Sequence, residues 1–212
     1  MNIQSSRPAL VAIALAALAA CSGGGGGGAV TGGAAAARAL DPQVNDRLDF
    51  AEIAQVAEDV NDGYAAVSIS PKSLVPTAGR ATYSGAVGGA LSVPGRSTDV
   101  AGLMQLGVDF GANRVGGTLG NFVTRDGSEI DGVLTVNNGI LNRTSNSQQV
   151  AIFGDVDGNL RSASGERIAV DARLRESGFK GRDVEFVGGK IQGDINVDGV
   201  RGAIDLDAQL ER

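Results

Sequence analysis

From about residue 63 onward, apolar and polar residues alternate in short runs. In LMQLGVDFG, Met104, Leu106, Val108 and Phe110 fall on one face, opposite Gln105 and Asp109. In ERIAVDARLR, Ile168, Val170, Ala172 and Leu174 do the same. In VRGAIDLDAQLER, Val200, Ile204, Leu206 and Leu210 point one way and Arg201, Asp205, Asp207 and Gln209 the other. Period two with one wet face marks an antiparallel sheet lying on a core. Gly, Asn and Asp interrupt the runs every 8 to 12 residues, the spacing of a sandwich or barrel. Eight or nine such runs fit between residues 63 and 210. A meander of that number closes into a small barrel, which also removes exposed edges. The expected fold class is all-β: a small antiparallel up-and-down β-barrel of about eight strands. A parallel α/β fold would need interleaved helices, and the pattern has none. A lipid-spanning barrel needs apolar outer faces and aromatic girdles. The outward positions here are Asp, Arg, Gln and Asn, so the wall is expected to face water.

Ahead of the barrel, LDPQVNDRLDFAEIAQVAEDVNDG predicts a helix around residues 49–60. Asp49 with Glu52 three residues on resembles a capping box, and Phe50, Ile53, Ala57 and Val60 recur at helical spacing. Asn61-Asp62-Gly63 is expected to stop it. Glycines 116, 117, 120, 188, 189, 193, 199 and 202 fall within or beside strands. They are read as bulges and bends that let a small sheet curl shut, rather than as a backbone-lined cradle for a ligand.

The N-terminus supplies an address. Arg7 precedes an apolar run over residues 9–20, too short to span a bilayer but of signal-peptide length. Its end, Leu18-Ala19-Ala20-Cys21, resembles the bacterial lipobox, which implies cleavage before Cys21 and acylation of its thiol. Cys21 is the only cysteine, and six glycines follow within the next seven residues. An acylated Cys21 on a flexible Gly/Ala-rich leash is therefore the expected membrane attachment. Under the same resemblance, Ser22 rather than Asp after the cysteine points to the outer membrane. The expected organisation is a signal peptide (1–20), acylated Cys and tether (21–40), helix and linking segment (41–76), and barrel (77–212).

Composition then removes whole classes of function. The formal charge is −6, and loss of Arg7, the one charged residue of the leader, takes it to −7. Nucleic acid is thus not an expected partner, since phosphate binding needs a basic footprint. The chain has no histidine and no tryptophan. This excludes Ser-His-Asp and Cys-His catalysis and His-ligated zinc, and it makes aromatic stacking platforms unexpected. Two motifs invite chemistry and fail. Asp155, Asp157, Asn159 and Glu166 match a calcium loop, but Leu160 stands where the loop needs glycine. A hairpin turn through Asp157-Gly158 accounts for that stretch more simply. Ser177-Gly178-Phe179-Lys180 matches S-x-x-K, yet a glycine breaks the segment and no K-T-G follows. No catalytic residue, metal site or cofactor is expected, and the chain is read as a non-enzyme.

The run LGVDFGANRVGGTLGNF (106–122), with ATYSGAVGG (81–89) before it and VGGKIQGDINVDGVRGAIDLD (187–207) near the end, resembles the C-terminal barrel domains of the transferrin-binding protein B family of surface lipoproteins. The likeness covers roughly residues 77–212 and consists of turns and glycines. Asn196 and Asp198 stand where the family's final motif usually carries Ala and Glu, and this chain holds one compact barrel where the full receptors carry two lobes. The resemblance implies a barrel, lipid anchoring, surface display and capture of a protein or a small nutrient such as an iron carrier; it does not imply transferrin. It also implies a dedicated outer-membrane translocator as a partner. Two other readings stay open: a periplasm-facing structural or assembly lipoprotein, and a carrier of a small apolar ligand inside the barrel. Binding is expected at loops of one barrel end, namely residues 94–101, 125–128, 142–148 and 175–182. Within them the candidate residues are Arg96, Asp99, Arg125, Asp126, Arg143, Asn146, Lys180 and Arg182.

Overall fold

The computed structural model describes residues 48–144 and 147–212. A helix, α1 (Phe50–Ala66), is followed by eight strands: β1 (Arg80–Val93), β2 (Arg96–Asp109), β3 (Arg114–Thr124), β4 (Glu129–Asn142), β5 (Ala151–Ser162), β6 (Arg167–Lys180), β7 (Phe186–Val197) and β8 (Val200–Glu211). Each strand pairs antiparallel with the next, and β1 pairs with β8 to close the barrel. The expected eight-stranded up-and-down barrel is what forms. Among the described residues no helix is long and apolar enough to cross a membrane.

The alternation read from sequence is the inside–outside alternation of the wall. Met104, Leu106, Val108 and Phe110 are buried in the core, as are Ile168, Val170, Ala172 and Leu174. Val200 departs from its run: it begins β8 and is half exposed. The β7–β8 turn follows from local chemistry, because Asp198 and Gly199 both adopt positive φ (46° and 93°), as a two-residue hairpin of right-handed twist requires.

α1 begins as expected. The Asp49 carboxylate accepts from the Glu52 amide at 2.8 Å, and the Glu52 carboxylate accepts from the Asp49 amide at 2.8 Å. Ile53 then packs with Ala86, Ala101, Leu103 and Val123 on the outside of the barrel. The expected stop at Asn61-Asp62-Gly63 does not occur, and the helix continues to Ala66. Gly63 lies directly against the Phe186 ring, and Tyr64 meets that ring edge-on with centroids 6.4 Å apart. Tertiary packing thus outweighs the local stop signal.

Two more local readings are corrected. Asp157-Gly158 is not a hairpin turn; both lie within β5, and the chain turns at residues 163–166. Ser177 and Gly178 do not separate two strands. They lie within β6, beside a register shift between Arg175 and Gly178.

Because the meander runs up and down, successive turns alternate between two ends. The β1–β2, β3–β4, β5–β6 and β7–β8 turns share one end. The β2–β3, β4–β5 and β6–β7 connections share the other. The second end is closed by the chain between α1 and β1, which crosses it as a strap. The Ser70 amide donates to Phe179 O (2.9 Å), its hydroxyl to Gly181 O (2.6 Å), and the Lys72 amide to Gln148 O (2.8 Å). Val75 of the strap enters the core. Beneath it Phe179 packs against both Phe110 and Tyr83, each at 5.9 Å between ring centroids. Tyr83 is fully buried and donates its hydroxyl to Val184 O at 2.8 Å.

The outer wall carries charges. Asp155 faces Arg173 across β5–β6 at 3.6 Å, and Lys190 faces Asp207 across β7–β8 at 2.8 Å. One row breaks this matching: Asp157 lies opposite Asp171, and Asp171 opposite Asp194. Like charges directly opposite each other destabilise a sheet, and salt screens them. Asp171→Asn should therefore raise Tm by about 1 °C at low ionic strength, with the gain vanishing in molar salt. Thermal melts of the two proteins at both salt concentrations check this, and an unchanged or lowered Tm at low salt contradicts it.

Candidate functional site

At the end opposite the strap the barrel is open. A cavity of about 340 Å³ occupies its mouth, at the lower bound of typical small-ligand pockets. Its floor is apolar: Leu91 and Val93 of β1, Ile130 of β4, Ile168 of β6, and Ile195 and Val197 of β7. Its rim is polar, with Arg96, Thr98, Thr124, Asp126, Ser128, Ser162, Ser164 and Glu166. Strand alternation explains the arrangement. Counting back from inward-facing Val100 and Met104 in steps of two, Thr98 and Arg96 also face inward, but beyond the last apolar layer. Ser162 continues the inward face of Val156 and Leu160 in the same way.

Arg96 and Glu166 meet over this cavity. They are 70 residues apart in sequence, on β2 and on the β5–β6 turn, and their charged groups lie 3.3 Å apart. Glu166 is held by its own turn: its amide donates to the Ser162 hydroxyl (3.0 Å), and the Ser164 hydroxyl donates to its carboxylate (3.2 Å). On the β3–β4 turn, Asp126 accepts from the Thr124 hydroxyl and from the Ser128 amide. These hydrogen bonds, that of Thr124 first, hold the Asp126 carboxyl below its ordinary pKa, so it is charged at neutral pH.

The residues expected to share one binding end are divided between two. Segments 94–101 and 125–128 lie at the mouth, whereas 175–182 and the described residues of 142–148 lie at the strap end. A meander places alternate turns at opposite ends, so these four segments could never have formed one surface. Of the eight candidates, the mouth cavity takes Arg96 and Asp126. Asp99 and Arg125 pair with each other at 3.3 Å on the outer wall, beside a second cavity of about 630 Å³ under α1. Arg143 pins the strap: it donates to Asn113 Oδ1 (2.6 Å), Val75 O (3.3 Å) and Pro76 O. Lys180 donates to Tyr64 O at 2.5 Å and lies 3.9 Å from the centroid of its ring, which ties α1 to β6. Arg182 is exposed on the β6–β7 connection. Asn146 and Cys21 lie outside the described residues. Glu166 is read from sequence only as a calcium-loop position, Thr98 only as part of segment 94–101, and Ser162, Ser164 and Thr124 not at all; counting turns by parity brings residues 163–166 to the mouth.

No family model matches the chain, and no curated protein sequence matches it significantly. Among solved structures it is similar to two mutant forms of the vaccine antigen transferrin-binding protein B from Haemophilus parasuis. One is 18% identical with a TM-score of 0.46, over 68% of this chain and 29% of that one. The other is 17% identical with a TM-score of 0.42, over 68% and 28%. This chain therefore spans under a third of the length of those receptors. Both belong to the family whose turn and glycine pattern residues 77–212 resemble. A likeness this remote carries no argument about function, which has to be read from the mouth itself.

Proposed function

We propose that this chain is a lipid-anchored, surface-displayed, non-catalytic binding protein of the outer membrane, held by acylated Cys21 and engaging its ligand at the open mouth of the barrel. The observation that carries the reading is the asymmetry of the two ends. One is closed by a strap, buried aromatic rings and backbone hydrogen bonds. The other opens on an apolar floor ringed by polar groups, the composition of a binding pocket. The same observation favours a small ligand, or one projecting group of a larger one, over a ligand inside the barrel, because the interior below the mouth is filled by side chains. Surface display separates this reading from a periplasm-facing structural role. Protease added to intact cells should remove the domain, and Cys21→Ala should release the chain from the membrane fraction. Cleavage only after the outer membrane is opened, or membrane retention of Cys21→Ala, overturns the proposal.

A further inference from the structure

The charged groups of the mouth are spent on the protein itself. Arg96 and Glu166 are paired at 3.3 Å, and the Ser162 and Ser164 hydroxyls bond to each other and to Glu166. Asp126 accepts from Thr124 and Ser128 and is exposed to water. Glu129 has a partner of its own and stands opposite Val123, which packs under α1 on the outer wall. Thr98 is different. It faces inward beside Leu91 of the floor and is half-buried, and its hydroxyl makes no hydrogen bond among the described residues.

This pairing works against a ligand of either charge. A carboxylate that took Arg96 would meet the released Glu166, and an ammonium that took Glu166 would meet the released Arg96. An ammonium beside Asp126 would form an exposed ion pair, which is worth little in water. The apolar floor strips water from whatever settles on it, and an uncompensated charge is costly there. A hydroxyl or carbonyl needs one partner, and the Thr98 hydroxyl can donate or accept. Size sets a further limit. At about 30 Å³ per non-hydrogen atom, the share of a water in the liquid, 340 Å³ holds about eleven such atoms. Resting on the mouth reading above, we infer that the site takes a small neutral amphipathic molecule, with its apolar body on Leu91, Ile130 and Ile168 and its one hydroxyl or carbonyl oxygen bonded to Thr98.

The test is calorimetric titration of the purified full chain with n-octanol, octanoate and n-octylammonium, three probes of one chain length. Octanol should saturate at one equivalent and bind about tenfold more tightly than either ion. Thr98→Val, which removes the hydroxyl, should weaken octanol about fivefold, and Thr98→Ser should retain the wild-type affinity. Ser164→Trp on the exposed β5–β6 turn should block the mouth and abolish binding. Should that variant fail to fold, Ser128→Trp on the exposed β3–β4 turn supplies the block. Either ion binding as tightly as octanol, and lost on blocking the mouth, overturns the neutral assignment and leaves the mouth reading standing. Unchanged octanol affinity in Thr98→Val overturns the role of Thr98 and likewise leaves the mouth standing. Absence of saturable binding by all three, or binding that survives the block, overturns both.

Discussion

Gly202→Ala lowers stability by about 3 kcal/mol, near the upper end of what overpacking costs. Gly202 lies on β8 at the seam where the barrel closes on β1. A methyl group there would collide with the Ser92 carbonyl oxygen, and would lie 2.7 Å from Val93 Cγ1 and 3.1 Å from Ile195 Cγ1. The Ser92 oxygen is backbone and cannot rotate aside, so the strands must separate at the seam. Gly116 is the internal control. It faces outward on β3, and its added methyl would find only Val136 O at 3.7 Å. Gly116→Ala should therefore be neutral or stabilising by up to about 1 kcal/mol through lower entropy of the unfolded chain. Urea unfolding of the two variants with unchanged m-value checks this. Equal effects at both positions contradict a tight seam at Gly202.

The second large effect is alkaline. Burial pushes the Tyr83 hydroxyl up to about 12, with Glu185 adding to the rise and Arg212 opposing it. In the unfolded chain the same group titrates near 10. Between these values the folded state holds a proton that the unfolded state has lost, so stability falls as pH rises. The contribution is fully present below pH 10 and about 2–3 kcal/mol is gone by pH 12. Tyr83→Phe loses the hydrogen bond to Val184 O, a cost of about 1 kcal/mol, but removes this share of the pH dependence. The chain has two tyrosines and no tryptophan, so phenolate absorbance reports them directly. Tyr64 is also raised by burial, and Tyr64→Phe isolates the Tyr83 step. A late step near pH 12 accompanied by unfolding is expected. Ionisation of Tyr83 near pH 10 without loss of structure contradicts the closed strap end.

Much of the barrel is legible in single strands, because period two needs no distant partner. Met104, Leu106, Val108 and Phe110 declare their face by themselves. What failed depends on contacts far along the chain. Nothing near Gly63 says that Phe186 will lie against it and that the helix will continue past it. Asp157-Gly158 reads as a turn, yet it sits in mid-strand, where Gly158 lies close against Val133 O and Leu134 of β4. The strap is invisible because its bonds run to Phe179 and Gly181, over 100 residues away. The mouth was half legible. Arg96 and Asp126 were chosen because they are polar and lie in turns, but so were Arg143 and Lys180, which tie down the far end. Glu166 reads in sequence only as part of a failed calcium loop, because its partner Arg96 lies across the barrel.

The central claim is that this end of the barrel is a binding mouth and the other is shut. The most direct measurement is amide chemical-shift mapping of the full isotope-labelled chain titrated with octanol, an uncharged probe blind to the rim's charge. Shifts confined to the mouth, around Leu91, Val93, Thr98, Ile130, Ile168 and Val197, are the predicted result. Shifts centred on the strap and Phe179, or on the groove beside α1, or none at saturating octanol, contradict it.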